Sequence, residues 1–250
     1  MVTLVLLPGL DGTGLLFADF IEALGPTVNV IVVSYPPDQP LSYEQLEPLV
    51  RSFLPSDRPF YLLAESFSGP LAISIAASSP EGLLGLILSC SFARNPLPLL
   101  APIRFAIAAF PVAAIPVAMI SFFVLGRYAS RTHHEALRTS LALVTPSVLR
   151  ARAHAALAVD VSGLLHRIKI PTLYLRASED RVIPKSSSVL IASLMPNVMM
   201  MEFTAPHFLL QVVPALAAST VAEFIGAGAY CRLADESRDD ATVFPRNTSA

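Results

Sequence analysis

Short, nearly continuous apolar runs alternate along this chain with longer stretches in which apolar residues recur at helical spacing. That alternation predicts strand–helix units wound onto a mostly parallel sheet, an α/β fold. The strand candidates are Val2 to Leu7, Val28 to Tyr35, Phe60 to Ala64, Leu83 to Ser89, Thr172 to Arg176 and Val198 to Phe203. Their lack of polar alternation predicts helices over both faces of the sheet. The helix candidates are Leu15 to Leu24, Tyr43 to Leu54, Pro70 to Ser79, Ser186 to Leu194 and Phe208 to Ile225, each bounded by Gly, Pro or Ser.

The alternation breaks between Pro96 and Lys169, where two helix-like stretches follow one another with no strand. This predicts a core whose first part covers residues 1–95, an inserted helical cap over 96–169, and a second core part over 170–228. From Arg232 the composition turns polar, with Asp235, Glu236, Arg238, Asp239 and Asp240, so residues 229–250 are expected to form a disordered tail. Within the cap, Phe105 to Leu125 carries no charge and is long enough to cross a bilayer. Pro111 and Pro116 interrupt it, and short helices packed over an apolar pocket are the simpler expectation. A surface that meets lipid is the alternative.

Composition narrows the class. The 250 residues are 54% hydrophobic and 14% charged, and a chain of this size buries enough surface to need no metal or disulfide staple. Cys90 and Cys231 do not make a disulfide framework. With 17 basic and 19 acidic residues the net charge is −2, and no basic run supports a nucleic-acid partner. The N-terminus carries no basic leader before its first apolar run and is expected to be a strand, with a cytoplasmic location. Between Arg127 and Lys169 basic residues outnumber Glu135 and Asp160. A solvated helix face is the expected meaning, and docking of an acidic acyl carrier protein the rival.

The chemistry-bearing residues begin at Phe60-Tyr61-Leu62-Leu63-Ala64-Glu65-Ser66-Phe67-Ser68-Gly69-Pro70, a strand entering a sharp turn and then a helix opened by proline. A nucleophile elbow needs small residues two positions before and after its nucleophile, and Ala64 and Ser68 stand there around Ser66. A helix N-terminus capped by serine is the plain alternative. Farther on, Glu179 and Asp180 follow a buried strand, and the placement of Val182 and Pro184 favours Asp180 as the functional acid. His207 follows the next strand. A serine hydroxyl becomes an effective nucleophile when a base takes its proton, and His207 is the histidine placed to do so, held by Asp180. Asp11 is expected to be a turn residue before Gly12, Glu65 a solvent-side or supporting residue, Ser68 a small packing residue, and His133, His134, His154 and His166 surface or packing residues.

In this order of motifs the chain resembles the α/β-hydrolase superfamily from Val2 to about Ile225, and within it the small capped carboxylesterases, including the pimeloyl-carrier methyl esterase group. Leu7-Pro8-Gly9-Leu10-Asp11-Gly12-Thr13-Gly14 is similar to the oxyanion loop that follows a strand in that superfamily. The resemblance implies an oxyanion hole from the backbone N–H groups of Leu10 and Phe67. It also implies that two strands with which the fold usually begins are absent, leaving the sheet edge beside the first strand shortened or covered. The function expected is hydrolysis of small-molecule carboxylic esters with short to medium apolar acyl groups, with no cofactor and no metal. Acyl transfer, thioester cleavage or perhydrolysis with the same triad is the enzymatic rival, and a ligand receptor on a hydrolase fold the rival of another class.

Overall fold

A computed structural model describes residues 2–98, 115–195 and 197–240, with 228–240 as backbone alone. Six strands form one all-parallel sheet: β1 (Val2–Leu7), β2 (Val28–Val32), β3 (Phe60–Glu65), β4 (Leu83–Ser89), β5 (Thr172–Ala177) and β6 (Val198–Phe203), in the spatial order β2-β1-β3-β4-β5-β6. The inner strands are buried nearly throughout, whereas β2 is half-buried along its length and β6 has only half-buried and exposed positions. That division is what a sheet sandwiched between helix layers produces, because only its edges reach water. The first strand is internal, and the sheet edge on its side belongs to β2.

Nine α-helices are found among the described residues: α1 (Ala18–Leu24), α2 (Tyr43–Phe53), α3 (Gly69–Ala77), α4 (Val117–Val124), α5 (Arg131–Ala142), α6 (Pro146–Ala158), α7 (Lys185–Leu194), α8 (Leu209–Val212) and α9 (Pro214–Asp240). One face of the sheet packs on residues of α2, α3 and α7, among them Leu46, Leu71 and Ile191; the other packs on α1, α8 and α9, among them Phe20, Leu210 and Val221. Helices α4 to α6 lie between β4 and β5. The chain leaves and re-enters the core through a short antiparallel stem, in which Asn95 N–H donates to Val159 O at 2.8 Å and Val161 N–H to Ala93 O at 2.8 Å.

Three elements differ from the sequence pattern. The second strand stops at Val32, because the chain turns so that Tyr35 N–H donates to Gly12 O at 2.8 Å. The predicted helix from Phe208 to Ile225 is broken after Val212, where Pro214 has no N–H to continue the ladder. Helix α9 then runs to Asp240, so the backbone is helical where polar composition predicted disorder. Ala227, Ala229, Arg232, Leu233, Ala234 and Glu236 are strong helix formers, and propensity outweighs charge there. Residues 241–250, with the Asn247-Thr248-Ser249 triplet, lie outside the described residues.

Chain direction reverses across the sheet between β1 and β3: the chain passes from β1 outward to β2, then returns to β3 on the other side. In parallel α/β sheets the crevice at such a reversal, beyond the carboxyl ends of the strands, is where ligands bind. The loop after β1 and the turn after β3 both open there.

Candidate active site

The turn after β3 holds Ser66 at φ 49°, left-handed for a residue with a side chain. Such a conformation costs roughly 1–3 kcal/mol and persists where its surroundings enforce it. They do so here through hydrogen bonds. Ser91 Oγ donates to Ser66 O at 2.6 Å, Tyr43 OH to Phe67 O at 2.7 Å, and Ser68 Oγ to Pro8 O. Tyr35 OH completes the set with Ser68 Oγ at 2.6 Å. Ser68 thus ties the elbow to the loop after β1, beyond the packing role expected from its size. Gly69 is required by the close approach, since a Cβ there would overlap Ser91 Oγ.

Ser66 Oγ lies 2.9 Å from His207 Nε2, and His207 Nδ1 lies 2.9 Å from Asp180 Oδ2. Asp180 Oδ1 accepts from the backbone N–H groups of Val182 and Ile183, each at 2.8 Å. The structure therefore brings together the three side chains singled out by sequence. A hydroxyl facing one imidazole nitrogen while a carboxylate holds the other is the arrangement that activates serine as a nucleophile. Burial alone pulls the pKa of His207 down, but the Asp180 carboxylate, its hydrogen bond and the nearby Glu65 outweigh that and leave it raised. Glu179 is placed otherwise: it pairs with Arg127 and accepts from Tyr128 OH at 3.1 Å, both in the inserted segment.

Leu10, Asp11, Ser66, Phe67 and His207 line a cavity of about 290 Å³, completed by apolar side chains that include Phe92, Ile120, Val124, Leu137, Leu141 and Leu157. Phe67, expected to contribute its N–H to an oxyanion hole, follows Ser66 in a first helical turn, where backbone N–H groups have no intrahelical acceptor. Within the uncharged stretch expected to cover the pocket, Phe110, Phe122 and Phe123 are the bulky side chains expected on its wall, and Phe122 and Phe123 are instead 58% and 46% exposed. Helix α4 is apolar but for Ser121, which is itself buried, so an apolar face meets solvent. Phe110 lies outside the described residues. A larger groove of about 650 Å³ runs between α2 and α6, lined by Glu44, Arg150 and His154 among others, and contains none of Ser66, Asp180 and His207.

Two further charged side chains near the site are buried. Glu65, expected to be a solvent-side or supporting residue, is 4% exposed and so takes the second of these places; burial pushes its pKa up to about 7, opposed by a hydrogen bond from Gln211 and by His207. Arg152, 1% exposed, donates from Nη1 to Leu10 O at 3.1 Å and Asp11 O at 2.7 Å, and from Nη2 to Pro36 O at 3.0 Å. Gly12, at φ 70°, leaves the room this guanidinium occupies. Asp11 is the expected turn residue, accepting from Thr13 N–H at 2.9 Å, and its Oδ2 also accepts from Ser140 Oγ of α5 at 2.7 Å. These bonds fasten the loop after β1 to the inserted helices. Arg152→Met keeps the side-chain bulk but strips donors from three carbonyls, and a loss of about 3 kcal/mol is expected, read from the urea midpoint at constant m-value.

Cys90, Asp180 and His207 have donor atoms within 4.8 Å of one another, the one set among the described residues with metal-ligating composition. Asp180 and His207 are engaged with each other, and burial holds the Cys90 thiol well above its ordinary pKa. His133, expected on a solvated helix face, is half-buried, with Nδ1 3.2 Å from Tyr128 O.

No family model matches the chain. Among solved structures it is similar to the esterase EaEST from Exiguobacterium antarcticum, with a TM-score of 0.81 and 13% identity over 90% of this chain and 92% of the other. It is also similar to the enol-lactonase from Burkholderia xenovorans LB400, with a TM-score of 0.78, 17% identity and coverage of 90% and 91%. A thermophilic esterase from Thermogutta terrifontis gives 0.76, 18%, and coverage of 91% and 90%. These likenesses, with the parallel sheet and its helices, show an α/β-hydrolase fold. Among curated proteins, phytyl ester synthase 1 of Arabidopsis thaliana chloroplasts is 36% identical over 110 residues, which is 40% of this chain and 16% of that protein. The chain therefore spans about a sixth of that relative's length.

Proposed function

We propose that this chain is a serine carboxylesterase that cleaves esters of short to medium apolar acids through an acyl-enzyme intermediate. The observation that carries this is the continuous hydrogen-bonded sequence Ser66–His207–Asp180 opening into an apolar cavity. In the proposed cycle Ser66 Oγ attacks the ester carbonyl as His207 takes its proton, and the N–H groups of Leu10 and Phe67 receive the developing negative charge. His207 then returns the proton to the leaving alcohol, and water repeats the sequence in reverse. The esterase names of the structural neighbours support the same chemistry.

A cavity of about 290 Å³ stands at the small end of ligand sites, which run from roughly 300 to 1,000 Å³, and this favours short to medium acyl groups. Initial rates on aryl esters of increasing acyl length test the proposal, with a maximum expected among the shorter members. Leu141→Ala, on the wall, is expected to move that maximum to longer chains, whereas Phe122→Ala, facing outward, leaves it in place. No turnover of any ester in the series would defeat the proposal.

A second reading, transfer of the acyl group to an alcohol, is favoured by the partial match to an ester synthase and uses the same intermediate. Adding alcohol to the assay separates the two, because a transferase yields new ester at the expense of free acid. Among the described residues no helix is long and apolar enough to cross a membrane.

A further inference from the structure

One corner of the cavity bears on the alcohol part of the substrate, and its role rests on the esterase activity proposed for Ser66. Glu65 and Asp11 both line the cavity beside Ser66, and they are 4% and 6% exposed. Each commits one carboxylate oxygen to the protein. Glu65 Oε1 accepts from Gln211 Nε2 at 3.0 Å, and Asp11 Oδ2 accepts from Thr13 and Ser140. The other two oxygens, Glu65 Oε2 and Asp11 Oδ1, have no hydrogen-bond partner among the described residues. They flank Gly9 closely: the point where a Cβ would stand on that residue is 3.7 Å from each. Because residue 9 is glycine, the notch between them stays open.

Both carboxylates line the cavity, so a substrate that shuts these two oxygens off from water leaves them unpaired, at a cost, unless it brings a donor of its own. Neighbouring cations do not supply it. Arg152 directs its donors to the carbonyls of Leu10, Asp11 and Pro36 and shows no bond to either carboxylate, and His207 is engaged with Ser66 and Asp180.

We propose that Glu65 and Asp11 form a subsite for a hydroxyl group on the alcohol part of the ester, so that the favoured substrates are monoesters of diols or polyols. The acyl group occupies the apolar walls while the hydroxyl enters the notch over Gly9 and donates to a free carboxylate oxygen. Glu65, with a pKa of about 7, also offers an O–H to the hydroxyl oxygen at neutral pH. A partly protonated pair lacks the fixed double charge needed to offset desolvation of an ammonium, which is why the subsite suits a neutral donor.

The test compares 2-hydroxyethyl butyrate with propyl butyrate, which differ by a hydroxyl in place of a methyl. Wild-type kcat/KM is expected to favour the hydroxyethyl ester by about tenfold, the worth of one hydrogen bond to a charged group. Glu65→Leu and Gly9→Ala, one removing the acceptor and the other filling the notch, are each expected to bring the ratio toward one. A wild-type ratio near one, a ratio unchanged in both variants, an equal fall on both esters, or preference for 2-aminoethyl butyrate would overturn the subsite. Should neither ester be turned over, it is the esterase reading that fails. The Kd values of the same two esters on Ser66→Ala protein then decide the subsite by themselves, equal values overturning it.

Discussion

Ser66→Ala is expected to lower kcat for ester cleavage by at least about four powers of ten while leaving the thermal transition nearly unmoved. The activity loss is large because hydroxyl, imidazole and carboxylate act as one unit, and removing the nucleophile leaves little beyond the binding and oxyanion contributions. Stability should change little because the hydrogen bonds that hold the elbow run through the Ser66 carbonyl, the Phe67 carbonyl and the Ser68 hydroxyl, none of which the substitution touches. A phosphonate reagent should label wild-type protein on Ser66 and fail to label the variant. Labelling of Ser68 instead would place the nucleophile wrongly; its hydroxyl is buried and already donated to Pro8 O.

That serine was legible because its signals are local: a buried strand, a sharp turn, small flanking residues and a proline-opened helix all fall within eleven positions of sequence. The limits of five strands were legible to within one residue for a similar reason, since an apolar run has few places to lie except inside a sheet, whereas the apolar run of the second goes on past Val32, where the chain has already turned. Three features were not legible, and each turns on which way a side chain faces. Helix α4, Val-Ala-Met-Ile-Ser-Phe-Phe-Val, has a single polar residue, and that one is buried, so its pattern does not say that Phe122 and Phe123 face outward. Helix α6 mixes Arg150, Arg152 and His154 with alanine at no helical period, and a guanidinium that ends among backbone carbonyls leaves no trace in the pattern. Glu65 beside the nucleophile has the residue type of the surface but the register of a buried strand; the strand won, and Gln211 and the raised pKa accommodate the carboxyl.

Asp180→Asn is expected to cost about four powers of ten in kcat/KM near neutral pH, and the geometry explains why an isosteric change does so much. Both oxygens of Asp180 are committed, Oδ1 to the N–H groups of Val182 and Ile183 and Oδ2 to His207 Nδ1. An asparagine that keeps its carbonyl oxygen toward the two backbone donors turns its NH2 toward His207. Nδ1 must then accept rather than donate, the imidazole proton moves to Nε2, and Nε2 faces Ser66 Oγ as a donor with no lone pair to take the serine proton. The opposite rotamer sets an NH2 against two N–H groups, which is worse. The pH profile adds a second readout. In the wild type, kcat/KM rises as His207 loses its proton, at a pH above the ordinary histidine value of about 6.5, because Asp180 and Glu65 favour the charged ring more than burial opposes it. Removing the Asp180 charge takes away the largest of those raising influences, so the residual activity should rise at lower pH than in the wild type. Glu179→Gln should leave both rate and profile within about threefold of the wild type, since Glu179 serves an exposed pair with Arg127. If Glu179→Gln proves the crippling change, or if Asp180→Asn lowers the rate without moving the pH limb downward, Asp180 is not the group that sets the charge and tautomer of His207.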